Sequence, residues 1–233
     1  MKRIFLLLLV VSGFYSFGQK STQKVEPFTK IDVFGPFYVE LIKSDKEVVE
    51  MDYRNMDSDD IISEVSRGEL RLKLRSRHYM SDWTSNDYPK SSYVKVKVYY
   101  LNLDDIEAQA GAEVFSGQVV KSKNLALESS MGAEVRLDIL AKNLYTKVSM
   151  GGIMDLEGKT EGHEVKASMG GVLKASQLES KTAYVNANMG AEVDIRATGE
   201  IEVSAGFGAV VNYSGSPNVR HTSKNFGGEV RGH

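Results

Sequence analysis

A chain of 233 residues, 42% hydrophobic and 26% charged, holds enough apolar material for one or two ordinary folded units and is not a disordered polymer. Its formal net charge of −2 excludes the strongly basic footprint of a nucleic-acid binder. The absence of cysteine excludes disulfide staples and Cys/His metal sites, so packing and hydrogen bonds must hold the fold.

Residues 1–18 read as a cleaved signal peptide. Lys2 and Arg3 form a basic start, Ile4 to Val11 an apolar run, and Ser16-Phe17-Gly18 a small-x-small site before Gln19. The run is far short of the roughly 20 apolar residues that span a bilayer, and no later stretch approaches that length. The expectation is an exported product, periplasmic, outer-surface-associated or secreted, and not membrane-spanning. With no cysteine at the cleavage site, no lipid anchor is expected. Loss of Lys2 and Arg3 leaves 27 basic against 31 acidic side chains.

Residues 19–27 read as a polar leader, and residues 28–103 as an N-terminal β region. Phe28, Ile31 and Val33, then Phe37, Val39 and Leu41, alternate with polar residues around a break at Gly35-Pro36, which predicts strands with one buried face. Val48 to Tyr53 predicts another strand. Val65, Leu70, Leu72 and Leu74 alternate around Arg67-Gly68 as a hairpin. Loop 76–92 lacks periodicity and carries Tyr79, Trp83 and Tyr88, the last two including the only tryptophan of the chain. Val94, Val96 and Val98 resume the strand pattern.

From residue 104 to 233 one phrase recurs: AQAGAEV, SSMGAEV, VSMGGIM, ASMGGVL, ANMGAEV, AGFGAVV and KNFGGEV. The central glycines, Gly111, Gly132, Gly151, Gly170, Gly190, Gly208 and Gly227, are spaced by 18 to 21 residues. Residues before each glycine alternate, as in Val165 and Ala167 against Glu164, Lys166 and Ser168. The third residue after it is always apolar. These features predict an all-β β-helix or solenoid of about seven coils of ~19 residues, stacked at the inter-strand spacing of about 4.8 Å, with the N-terminal β region packed on it or continuous with it. Carrying the alternation through the phrase places Met131, Met150, Met169, Met189 and Phe207 inside the column, beside Ser129, Val148, Ala167, Ala187 and Ala205. In the last repeat Arg220, Thr222 and Lys224 take inward positions, which reads as a polar cap or as an edge that pairs with another copy.

An export signal, the opening FTKIDVFGPFYVELIKSDKEVVEMDYR, the GELRLKLR hairpin, the strand VKVKVYY and the passage LNLDDIEAQAGAEVFSG leading into glycine-centred repeats together resemble the head GIN domain family, described as autotransporter adhesin heads. The resemblance covers essentially the whole chain beyond the leader. It implies a β-helix-like fold in exported proteins of Gram-negative bacteria, and it brings no catalytic residues. No translocator barrel is recognisable in this sequence.

Chemistry has little to work with. His78, His163, His221 and His233 are scattered and read as surface residues, and the nucleophile-elbow, phosphate-loop and zincin signatures are missing. No cofactor and no metal site are expected. Asp57, Asp59 and Asp60 read as a solvated turn, and Glu113 and Glu134 as an outward pair relieved by neighbouring Lys or Arg. Ser130, Ser149, Ser168 and Asn188 read as an outward polar row, and Tyr79, Trp83 and Tyr88 as side chains that stack on sugars or anchor a protein contact. The resulting expectation is a non-enzymatic exported binding or adhesion module for a glycan or protein surface ligand. The alternatives are a polysaccharide-active enzyme on the same scaffold and a structural envelope protein that forms homo-oligomers through the solenoid ends.

Overall fold

A computed structural model describes residues 20–52, 58–75 and 94–233. The strands are β1 (Lys20–Lys24), β2 (Lys30–Phe34), β3 (Phe37–Lys43), β4 (Val48–Asp52), β5 (Ile61–Ser66), β6 (Glu69–Leu74), β7 (Val94–Tyr100), β8 (Asp105–Gln109) and β9 (Glu113–Phe115). They continue as β10 (Val120–Ser129), β11 (Glu134–Val148), β12 (Ile153–Ala167), β13 (Val172–Ala187), β14 (Glu192–Ala205), β15 (Val210–Ser214), β16 (Val219–Lys224) and β17 (Glu229–Gly232). The expected all-β solenoid is the fold, and no described helix is long and apolar enough to cross a membrane.

Each coil has two walls. The residues before a glycine turn form one wall, in which β6, β2, β8, β10 and the second halves of β11 to β14 pair in parallel and end on β16. The residues after the turn form the other, in which β7, β3, β9 and the first halves of β11 to β14 continue into β15 and β17. The N-terminal strands are therefore continuous with the repeats. The coil made of β2 and β3 lies between the coil of β6 and β7 and that of β8 and β9, so the chain order and the stacking order differ.

Alternation puts one residue in two inside. Val114, Val135, Met154, Leu173, Val193 and Val211 line one wall and Leu127, Val165, Val185 and Val203 the other, all buried. Parallel in-register stacking turns each position into a column, so every coil buries apolar surface against the coils above and below. Buried polar side chains also sit in the inward columns, Thr146 and His163 among them. His163 follows Leu144 in register and is 1% exposed, its Nε2 3.0 Å from the Thr146 hydroxyl and its Nδ1 without a partner. The reading of this histidine as a surface residue is therefore corrected: its neighbours in the column, Leu144 and Ala183, mark the position as internal.

The unequal repeat intervals are absorbed on one edge only. Register shifts fall between Asp155 and Glu157 and between Ala175 and Glu179, in the part of each coil that leads to the second bend. The glycine-turn edge stays regular.

Both ends of the column are blunted. At the N-terminal end β1 and β5 add antiparallel strands to β4 and β6. The polar leader thus includes an edge strand, whose Lys20 and Lys24 discourage further pairing. At the other end Arg220, Thr222 and Lys224 lie in register with inward Ile201, Val203 and Ala205, and Lys224 Nζ donates to the Val230 carbonyl at 3.1 Å. Charged side chains turned over the last apolar layer are a recognised device against edge-to-edge association.

Candidate functional site

The recurring phrase is a turn, and its geometry decides where its side chains go. In all seven repeats the residue before the first central position (Ala110 in the first repeat, Met or Phe in the others) accepts a hydrogen bond from the backbone three residues on, for example Ser149 carbonyl from Gly152 N–H at 2.9 Å and Ser168 from Gly171 at 3.0 Å. Both central residues have positive φ: Met150 at 49° and Gly151 at 72°, Met169 at 50° and Gly170 at 70°, Phe207 at 50° and Gly208 at 74°. Positive φ at both central positions is the type I′ pattern, which glycine satisfies freely and which Asn usually satisfies at the first position.

A side chain at that first central position leaves the sheet and points away from the column. The expectation that the methionines fill the core is overturned. Exposure lies between 40% at Met131 and 75% at Phe226, with Met150, Met169, Met189 and Phe207 in between. Strand alternation ends at Ala167, Ala187 and their equivalents, and the turn resets the phase. The small inward residues are buried as expected, and so are the Ala residues following the glycine, Ala112, Ala133, Ala191 and Ala209. Where glycine takes that place there is no room: a Cβ on Gly152 would lie 2.4 Å from the Ser129 carbonyl oxygen.

Hydrogen bonds between turns hold the edge in register. The N–H groups of Gly132, Gly151 and Gly170 donate to the carbonyls of Met150, Met169 and Met189 at 3.2, 3.2 and 3.0 Å. The result is a straight ridge of six apolar side chains over roughly 24 Å. At on the order of 100 Å² each, they form a strip of roughly 600 Å², the upper end of what a monomer leaves bare. Phe207 and Phe226 stack at its end, with ring centroids 4.7 Å apart and planes 11° apart.

The ridge has two flanks. On one side Glu113, Glu134, Ile153, Val172, Glu192, Val210 and Glu229 run in register, and Arg136 bridges the first pair, 2.8 Å from Glu134 and 3.4 Å from Glu113. On the other side lies the row read as outward and polar, and here the structure corrects the sequence. Ser130 and Ser149 are buried, 2% and 3% exposed, and only Ser168 and Asn188 are half-open. The position is the join between strand and turn, where the next coil covers a short side chain.

Further along the same wall Asp32, Glu107 and Glu128 occupy successive rungs, with Arg71 beyond Asp32 and Lys147 beyond Glu128. Lys147 meets Glu128 at 2.7 Å, as the register requires. Burial, and then the charge of Glu128, pushes the Glu107 carboxyl up. Among the described residues, no three His, Cys, Asp or Glu side chains are placed to hold a metal ion.

The opposite edge is a shallow depression of about 850 Å³ whose lining includes Lys121, Lys142, Lys159 and Lys181. Its Glu179 lies between Lys159 at 3.6 Å and Arg196 at 3.7 Å. Tyr79, Trp83, Tyr88 and Asp57 lie outside the described residues, as do residues 1–18. The strands that bracket loop 76–92 are described: β6 ends and β7 begins at the glycine-turn edge, where Val94 N–H donates to the Pro36 carbonyl at 3.0 Å. The features that the sequence sets apart, the repeated phrase and the aromatic segment, thus share one edge at their attachment points.

Comparison with known proteins agrees with this architecture. The family model described as "Putative auto-transporter adhesin, head GIN domain" matches residues 27–217. A crystal structure titled as a putative adhesin from Bacteroides fragilis superposes with a TM-score of 0.80 at 18% identity, covering 92% of this chain and 96% of that one. Two from Parabacteroides distasonis, titled as a putative adhesin and a putative lipid binding protein, give TM-scores of 0.67 and 0.65, each at 15% identity with the same coverage. At these identities the likeness is one of fold. None of the curated proteins matches the sequence.

Proposed function

The chain belongs to the head GIN domain family, and from that premise we propose an exported, non-enzymatic binding or adhesion-type module that presents its Met/Phe edge to a glycan or protein surface. One observation carries the reading. Six successive coils hold a large apolar side chain outward in a left-handed backbone conformation, which costs a residue other than glycine about 1–2 kcal/mol. Asn would fit the turn at lower cost and none of the six side chains enters the core, so the property repeated at that position is the exposed apolar surface. A regular strip of adaptable thioether and aromatic side chains suits protein surfaces and the apolar faces of sugars. Half-open Ser168 and Asn188 beside it supply hydrogen-bonding groups, and the strands that precede and follow the segment carrying Tyr79, Trp83 and Tyr88 end and begin at the same edge.

The test is binding of the purified exported chain to intact cells and to immobilised glycans. Exchanging Met150, Met169 and Phe207 together for Asn should weaken binding at least tenfold with the fold retained, and the pair Trp83→Ala, Tyr88→Ala should weaken it further. Undiminished binding by the first variant removes the ridge from the reading.

The polysaccharide-active alternative has one observation of its own, the lysine-lined depression on the opposite edge, where an acidic polymer could lie. Turnover of an acidic polysaccharide, lost on Glu179→Gln, would establish it in place of the binding module.

A further inference from the structure

The outward methionines also create a donor set. The chain has no cysteine, so thioethers are its softest ligands. Four of them, on Met131, Met150, Met169 and Met189, occupy one position in four successive coils with nearly identical φ of 49° to 52°. None is covered by the fold, whereas Met154 is fully buried in the core.

Their spacing follows from the stack. Equivalent atoms of neighbouring rungs repeat at about 4.8 Å, and the stacked rings of Phe207 and Phe226, which continue the same row, give 4.7 Å. A zinc–thiolate bond is about 2.3 Å long, and a two-coordinate S–M–S unit with bonds of comparable length spans roughly 4.6 Å. Adjacent methionine rungs match that span without backbone movement. Thioethers select Cu(I)-class cations over Zn²⁺, Mg²⁺ or Ca²⁺, which prefer nitrogen, thiolate or oxygen ligands. Linear two-coordination is the geometry that a closed-shell monovalent coinage ion accepts.

We propose that Met131, Met150, Met169 and Met189 form a thioether ladder that binds soft monovalent cations, Cu(I) or Ag(I), between neighbouring coils. Four rungs make two pairs, Met131 with Met150 and Met169 with Met189, and hence up to two ions per chain. The ladder lies on the same edge as the binding reading, and exchange for Leu removes the sulfur while keeping an apolar side chain.

The experiment titrates the full exported chain with silver nitrate in chloride-free buffer, followed by calorimetry and native mass spectrometry, with Cu(I) competed against a chromophoric chelator as a second arm. One to two saturable ions per chain are expected. Silver binding should fall at least tenfold in the pair Met150→Leu, Met169→Leu and vanish when all four are Leu, while Met154→Leu leaves it unchanged. No saturable uptake of silver, or uptake that survives in the fourfold Leu variant, overturns the proposal. Loss of cell binding in that variant with silver uptake intact would count against it as well, and would leave the adhesion reading standing.

Discussion

Phe207 and Phe226 stand one coil apart at the same turn position, both with φ near +50°, their rings stacked at 4.7 Å on the outside of the column. The contact is lateral, between side chains that leave the sheet, and Phe226 is 75% exposed. Removing it should leave the core untouched. Phe226→Ala is expected to change stability by less than about 1 kcal/mol, losing a single partly exposed ring contact. Leu173→Ala, in the buried column, should cost about 2–5 kcal/mol. Urea midpoints of the two variants, measured side by side, check the contrast.

His163 makes the fold acid-sensitive. Burial lowers its pKa from 6.5 to about 3, so the imidazole is neutral in the folded column and protonates readily once unfolded. Its stabilising contribution is complete above pH 6.5. As the pH falls from 6.5 toward 3 the unfolded state binds a proton that the folded state refuses, and stability declines by about 1.4 kcal/mol per unit from this group. His163→Leu should flatten that part of the curve while leaving the region above pH 7 nearly level. Denaturant unfolding at pH 7.5 and pH 5 for both proteins reads the difference. An equal slope in the variant would assign the acid sensitivity to carboxylates.

The polar C-terminal layer is expected to keep the column from stacking end to end. Arg220, Thr222 and Lys224 take the register positions of Ile201, Val203 and Ala205, so the triple change Arg220→Ile, Thr222→Val, Lys224→Ala would copy the preceding coil onto the last. Sedimentation velocity should show the variant assembling with rising concentration and the parent chain not doing so through this end. Concentration-dependent assembly of the parent that the triple change fails to strengthen would contradict the capping role and favour a structural envelope protein.

Arg136 neutralises a repulsive pair at little cost. It reaches both Glu113 and Glu134, which otherwise face each other across one rung. Arg136 is exposed and the two carboxylates are partly exposed, so Arg136→Gln should destabilise by no more than about 1 kcal/mol, and less at 1 M salt. A loss of several kcal/mol, insensitive to salt, would mean that the side chain matters through packing.

Much of the architecture was legible because a period-two pattern repeated every ~19 residues has few physical solutions. Glu113, Glu134, Ile153, Val172, Glu192, Val210 and Glu229 line up in the structure as their spacing from each glycine requires, and Glu128 meets Lys147. The glycine-turn edge was less legible for a definable reason. Alternation is a property of strands, and Met-Gly at the end of a strand is a turn signal of the same kind as Asn-Gly, because both central residues of a type I′ turn need positive φ. Reading the dipeptide as a turn first would have ended the alternation at Ala167 and sent Met169 outward. The burial of Ser130 and Ser149 was less accessible, since it depends on how closely the next coil covers the join. The burial of His163 could be read from its column, because Leu144 and Ala183 stand on either side of it in register.

The most direct test of the outward ridge is the stability of the double variant Met150→Asn, Met169→Asn. Asn tolerates the left-handed turn position better than Met, and neither methionine fills the core, so the unfolding free energy should equal or exceed that of the parent by up to about 1 kcal/mol. A loss of 2 kcal/mol or more per site, as for truncating a buried side chain, would falsify the outward placement and return the methionines to the interior.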